Sequence, residues 1–252
     1  MKNFKLVILD YPKLMLDSSS VKKTLSDMIM NKQINFKRAC SSYVSLNAQD
    51  MISTHYLIYD VTNIFEPKQV LAIRTCYQSR SFRHKLSLPS QDYIQYAPES
   101  YQDKFKLFMG RVGNVVDCNA HYVDEEYTYA KTGINLSEVA YYALIMFILR
   151  KGLSNWVGAT NERFKASRWA SKTGFFEDGL IFTHPKVEDP HKLIMIEKFN
   201  EEWLLDCHDK FGFFIKEALE LVPHSIESEI LMSYDEALKN ITTKRVETYL
   251  TA

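Results

Sequence analysis

The apolar pattern is densest between Asn114 and Phe176. NVVDCNAHYVDEE alternates with the period of two that a strand requires. YTYAKTGIN is a polar turn with one glycine, and LSEVAYYALIMFILRKG reads as a broadly apolar helix. NWVGAT then reads as a short strand, and NERFKASRWASKTGFF as a second helix stopped by glycine. Strand, turn, helix, strand, helix is a βαβα unit, which needs a crossover and favours parallel neighbours. Its first turn opens a helix, where unpaired backbone N–H groups can hold an anion. A ligand site is therefore expected there first.

The flanking segments are simpler. Phe4–Leu9 predicts a first or edge strand, and Asp17 can cap a helix running to Met30 on Val21, Leu25, Met28 and Ile29. Residues 34–46 have no single reading. Two strand-like runs, Thr54–Val61 and Gln69–Tyr77, joined through Thr62–Lys68, predict an antiparallel hairpin. Ser79–Gln102 is polar, contains Pro89 and Pro98, and reads as surface chain with some helix. Its Arg80, Arg83, His84 and Lys85 form a basic cluster, either a solvated loop or a docking surface for an acidic carrier or phosphorylated ligand. Tyr101–Met109 predicts a helix with Phe105 and Phe108 inward. After Phe176, strands at 179–185 and 192–199 flank a turn. Helical spacing follows through Trp203, Leu204, Cys207, Phe211, Phe214, Ile215, Ala218, Leu219 and Val222, ending at Pro223, with more helix over 229–249. The expected architecture is α/β, a mixed sheet of about six or seven strands flanked by helices. Its Val115–Val123 strand lies near the middle and its Leu136–Arg150 helix on one face. Residues 201–252 form a helical extension packed on residues 1–200.

Charge narrows the function. Lys and Arg number 31, as do Asp and Glu, so the formal net charge is zero and a general nucleic-acid binder is disfavoured. The longest apolar run, Val139–Leu149, is too short to cross a bilayer. MKNFKLVILDYPK lacks the long apolar region of a signal peptide, so a cytoplasmic setting is expected. Cys40, Cys76, Cys118 and Cys207 stand singly, which suggests neither a zinc site nor a disulfide framework.

The candidate chemistry lies on the central strand. Period two puts Val116, Cys118, Ala120 and Tyr122 on one face, and Asp117, Asn119 and His121 on the other. Three polar groups on one strand face imply a wet face or a site. Of these, His121 has the better intrinsic pKa for a base, with Asp117 as the alternative acting through water; opposite faces argue against a Cys118–His121 nucleophile pair. Tyr127 and Tyr129 could protonate a leaving thiolate. Arg74 could bind a carboxylate or carrier phosphate, with Asn119 beside it; for Arg163 and Arg168 a solvated helix face is the default.

This order of elements resembles the GNAT acyltransferases. The match is best at the end, where Asn161 follows the fifth strand and Lys172-Thr173-Gly174-Phe175 closes the next helix. Val70-Leu-Ala-Ile-Arg74 is similar to a strand of the acyl-homoserine-lactone and N-acyl amino acid synthases, which use acyl-carrier protein. The resemblance implies a GNAT-like domain over residues 1–200 with extra C-terminal helices. It implies acyl-CoA or acyl-phosphopantetheine as co-substrate, an amine-bearing small molecule or protein as acceptor, and no tightly bound cofactor or metal. It also implies a donor site over Val123, Ala130, Lys131, Thr132, Gly133, Ile134, Asn135 and Asn161, where the backbone of Tyr129–Asn135 would take the diphosphate. The sequence departs from the family's Gln/Arg-x-x-Gly-x-Gly/Ala turn: aligned on Gly133, it has Ala130 first and Asn135 last. Lys131 could supply the missing charge. The synthases' Glu-x-x-Arg becomes Asp117 and Ala120. A GNAT-like module without catalysis is the alternative these departures leave.

Overall fold

The computed structural model describes residues 2–40, 47–164, 167–177, 180–185, 189–223 and 231–240. In chain order, β1 is Phe4–Asp10, α1 Ser19–Cys40, α2 Ala48–Ile52, β2 Thr54–Asp60 and β3 Lys68–Tyr77. Then come α3 (Gln78–Arg83), α4 (Pro89–Ile94), α5 (Glu99–Val112), β4 (Val116–Val123) and α6 (Tyr129–Thr132). They are followed by α7 (Leu136–Arg150), β5 (Trp156–Asn161), α8 (Ser167–Thr173), β6 (Ile181–Thr183), β7 (Pro190–Ile196), α9 (Glu201–Lys216) and β8 (Leu219–Leu221).

One eight-stranded mixed sheet runs in the order β6-β7-β5-β4-β3-β2-β1-β8. β4 is near the middle, and α7 lies across β2, β3 and β4 on one face, both as the pattern predicts. α1 and α4 cover the opposite face. Every residue of β2 is buried, as is α7 from Leu136 to Ile148 apart from Glu138, because that helix is enclosed between the sheet and α9. β4 and β5 are parallel, and their register contains one pair, Asp117 with Val157. β7 pairs with β5 over six residues, so the sheet continues on that side.

The sheet has eight strands against an expected six or seven, and the C-terminal reading changes. The stretch 217–222, read as helix, leaves α9 at Lys216 and forms β8, parallel to β1 over Val7–Leu9. Arg150 ties this return to the end of α7: its Nη1 donates to Glu220 Oε1 at 2.7 Å and its Nε to the Met232 carbonyl at 2.8 Å. Helix resumes over 234–240, while the remainder of the expected 229–249 helix and the 41–46, 178–179 and 186–188 parts of other readings lie outside the described residues.

Arg80 is not part of a solvated cluster. It is 1% exposed and forks onto Asp10, Nη1 to Oδ1 at 2.7 Å and Nη2 to Oδ2 at 3.0 Å. Thr54 Oγ1 donates to Asp10 at 2.5 Å and Lys151 Nζ at 3.4 Å. Burial alone would raise the Asp10 pKa, but Arg80 and Lys151 outweigh it and hold it below the usual carboxylate range. The nearby Arg83 and Lys85 are exposed.

The Gly-Phe end of α8 has a packing reason. A Cβ on Gly174 would meet the Lys198 carbonyl oxygen at 2.7 Å and Ile196 Cγ2 at 2.6 Å. Gly174→Val is therefore expected to cost about 1–3 kcal/mol through overpacking against backbone; a urea midpoint equal to the parent protein's would show that β7 yields freely. Phe175 is 89% exposed, so the aromatic half of the motif has no such role in this fold.

Candidate functional site

A bulge decides which side chains of β4 can meet. Ala120 has φ 54°, and the β3–β4 register shifts between Ala72 and Arg74. One extra residue on β4 inverts the alternation beyond it. Asp117 and Asn119 face α4 and Arg74, whereas Cys118 packs in the α7 core. His121 also faces α7: its Nε2 lies 3.3 Å from Ser137 Oγ and its ring sits edge-on to Tyr141 at 5.5 Å between centroids. Tyr122 faces α1, against Phe36. The expected shared face of Asp117, Asn119 and His121 is therefore wrong, and Asp117 and His121 do not serve one atom. His121 and Cys118 share a face after all, yet no hydrogen bond joins them among the described residues. Burial, aided by Asp117 and Cys76, also keeps the Cys118 thiol protonated. Burial alone pushes His121 down to about 4, so it is a neutral imidazole at pH 7.

The Arg74 face is a continuous buried polar network. Arg74, 5% exposed, donates from Nε to Asn119 Oδ1 at 2.7 Å and from Nη1 to Asp50 Oδ1 at 2.6 Å. Lys32 Nζ reaches both Asp50 oxygens at 2.9 and 3.0 Å. Asn119 Nδ2 donates to Asp117 Oδ1 at 3.0 Å, and the Ser90 N–H to Asp117 Oδ2 at 2.6 Å. Burial raises the Asp117 pKa, opposed by those two hydrogen bonds. Burial would raise Asp50 as well, but Arg74 and Lys32 prevail and bring it to about 2. Behind it His55 Nε2 donates to the Asp50 carbonyl oxygen at 2.7 Å, and burial lowers its pKa to about 4. The sequence-predicted pair Arg74 and Asn119 is thus brought together, with Asp117 supporting Asn119.

On the other face, a cleft of about 570 Å³ opens between the chain after β4, the start of α7 and the outer side of α8. Val123 and Tyr127–Tyr129 form one wall, Asn135–Ser137 the floor, and Arg168, Trp169 and Lys172 the other wall. Asn135 caps α7, its Oδ1 accepting from the Glu138 N–H at 3.3 Å. The Glu138 carboxylate does not return the bond; it accepts from Lys172 Nζ at 3.0 Å. Trp169 stacks on Tyr141 with an interplanar angle of 17°.

Of the expected donor-site residues, Val123, Tyr129 and Asn135 line this cleft; Ala130, Lys131, Thr132, Gly133 and Ile134 do not. Gly133 is left-handed at φ 72° and ends α6. The turn's N–H groups are engaged internally: Lys131 and Thr132 donate to the Thr128 carbonyl, Gly133 to that of Tyr129, and Ile134 to Thr132 Oγ1. Lys131 Nζ donates to the Glu125 carbonyl at 3.3 Å. Asn161 is at the far end of β5, donating to Asp189 Oδ2 at 2.9 Å and accepting from the Arg163 N–H at 2.9 Å. Ser137, Arg168, Trp169 and Lys172 were not anticipated as a group. Arg168 and Lys172 are four apart on one helix, a spacing visible in sequence, but only the packing of α8 beside α7 shows that they face a cleft.

No family model and no curated protein matches this chain. Solved structures do. BjaI, a CoA-dependent acyl-homoserine lactone synthase, matches over 96% of this chain and 100% of its own, at TM-score 0.55 and 10% identity. MesI, another CoA-dependent acyl-homoserine lactone synthase, matches over 87% and 100%, at TM-score 0.51 and 11% identity. FeeM, an N-acyl amino acid synthase from uncultured soil microbes, matches over 78% and 93%, at TM-score 0.50 and 10% identity. The fold is GNAT-like. At such identity the GNAT-like likeness is one of architecture, and activity has to be argued from the site. Among the described residues, no helix is long and apolar enough to cross a membrane.

Proposed function

We propose that this chain is an N-acyltransferase that moves an acyl group from acyl-CoA or an acylated carrier protein to an amine. The observation that carries the reading is the cleft at the start of α7, walled by Arg168 and Lys172 and floored next to the Ser137–His121 contact, in a GNAT-like sheet. The wall of Arg168 and Lys172, the latter shared with Glu138, suits the phosphates of a thioester donor. His121, neutral at pH 7, is able to accept the amine proton. On the opposite face Arg74 is 5% exposed and held by Asn119 and Asp50, so that network braces the sheet rather than meeting an acceptor in the cleft. BjaI has been solved with MTA, and with SAM and isopentyl-CoA; an acceptor of amino-acid character is the corresponding expectation here.

The internally bonded Lys131–Ile134 N–H groups favour a second reading, a GNAT-like binding module without turnover. Thermal unfolding with octanoyl-CoA, acetyl-CoA and free CoA tests the first. A ligand at a hundred times its Kd is expected to stabilise the fold by about 2.7 kcal/mol. An unmoved transition with every thioester, CoA-borne or on a carrier protein, would reject the donor site.

A further inference from the structure

His121 is not on the cleft wall; Ser137 is. Ser137 is 8% exposed, lines the cleft, and has its hydroxyl 3.3 Å from Nε2 of His121. Tyr141 meets the ring edge-on, and Trp169 stacks on Tyr141, so the imidazole packs against the aromatic pair beside the cleft. His121 is itself half-buried, but among the residues that line the cleft it is Ser137 that contacts the imidazole, so a substrate there meets Ser137 first.

We propose that Ser137 is the catalytic group that meets the acceptor amine and relays its proton to Nε2 of His121. The inference rests on the acyl-transfer reading above. The amine nitrogen uses its lone pair to form the C–N bond to the thioester carbonyl carbon. An N–H proton passes to Ser137 Oγ while the Ser137 proton passes to His121 Nε2, leaving imidazolium. The C–S bond then breaks with its electron pair on sulfur. The proton returns from His121 through Ser137 to the thiolate, so the thiol leaves neutral and the dyad is restored. The hydroxyl is unchanged after each turnover, and no acyl–enzyme forms. An ordinary thiolate, near pKa 8.5, is a stronger base than imidazole and takes the proton back.

The test measures thiol release from octanoyl-CoA with hydroxylamine as acceptor, corrected for the uncatalysed reaction. Ser137→Ala is expected to lower kcat on the order of a hundredfold, the low end for a lost acid–base group, with KM for octanoyl-CoA little changed. Ser137→Thr keeps a hydroxyl and is expected to recover most of the rate. A proton inventory in mixed H2O and D2O should be curved for the parent protein, two protons moving together, and lose that curvature in Ser137→Ala. A Ser137→Ala enzyme that is folded and turns over at the parent rate overturns the relay while leaving acyl transfer intact. An octanoyl adduct on Ser137 in intact-protein mass spectrometry overturns it in favour of a covalent route. Octanoyl-CoA that stabilises the fold but yields no thiol from the parent protein removes the acyl-transfer reading, and the relay with it.

Discussion

Asp10→Ala is expected to lower the free energy of unfolding by about 3–5 kcal/mol, the cost of stripping one partner from a buried ion pair. Asp10 is fully buried and meets Arg80 through two parallel hydrogen bonds, with Lys151 and Thr54 completing its shell. Alanine would leave a guanidinium that is 1% exposed, and the Lys151 ammonium, without their shared counter-charge. The loss should appear as a lower urea midpoint at an unchanged slope. Asp10→Ala combined with Arg80→Met should recover part of it, because the worst species is the uncompensated cation. A single-variant cost below about 1 kcal/mol would mean that water enters and solvates Arg80.

The second large effect is on acid stability. His55 is 1% exposed, and its folded pKa is about 4 against 6.5 for a free imidazole. Between those values the unfolded chain binds the proton and the folded protein does not, so stability increases with pH across the window. It is complete above pH 6.5 and lost as pH falls to 4. A shift of that size corresponds to about 3 kcal/mol. His121 works in the same sense, also with a folded value near 4. Asp50 extends the decline: its carboxyl is depressed from 3.8 to about 2, so its contribution is lost as pH falls below 3.8 toward 2. Urea midpoints at constant ionic strength should fall steeply from pH 7 to 4.5, and His55→Gln should flatten the slope. A midpoint independent of pH over that range would show that His55 is protonated and solvated in the fold.

Much of the fold was legible because its signals are periodic and long. Enclosure of α7 leaves an apolar run from Val139 to Leu149 that no surface helix shows, and the β2–β3 hairpin announces itself by two apolar runs around Asn63 and Pro67. The site was less legible because one backbone angle reorganised it. A bulge at an alanine leaves no mark in composition, yet it moved His121 from the Asn119 face to the α7 face. Arg80 looked solvated for a related reason: the residues that bury it, Asp10 and Lys151, are 70 and 71 positions away. Leu219–Leu221 has too few residues to display a period, and its β1 partner rather than its own pattern makes it a strand. Arg168 and Lys172 read as an ordinary basic helix face until α8 is laid beside α7.

The pairing of β8 with β1 has a consequence for biosynthesis. β1 leaves the ribosome well before β8, and β2 can cover one of its sides soon afterwards. Its other backbone edge waits until Leu219–Leu221 has emerged. Throughout that interval a hydrophobic ribbon, VILD, carries unpaired N–H and C=O groups that a neighbouring nascent chain could zip onto. Translation speed through α9 therefore sets how long that edge of β1 stays open.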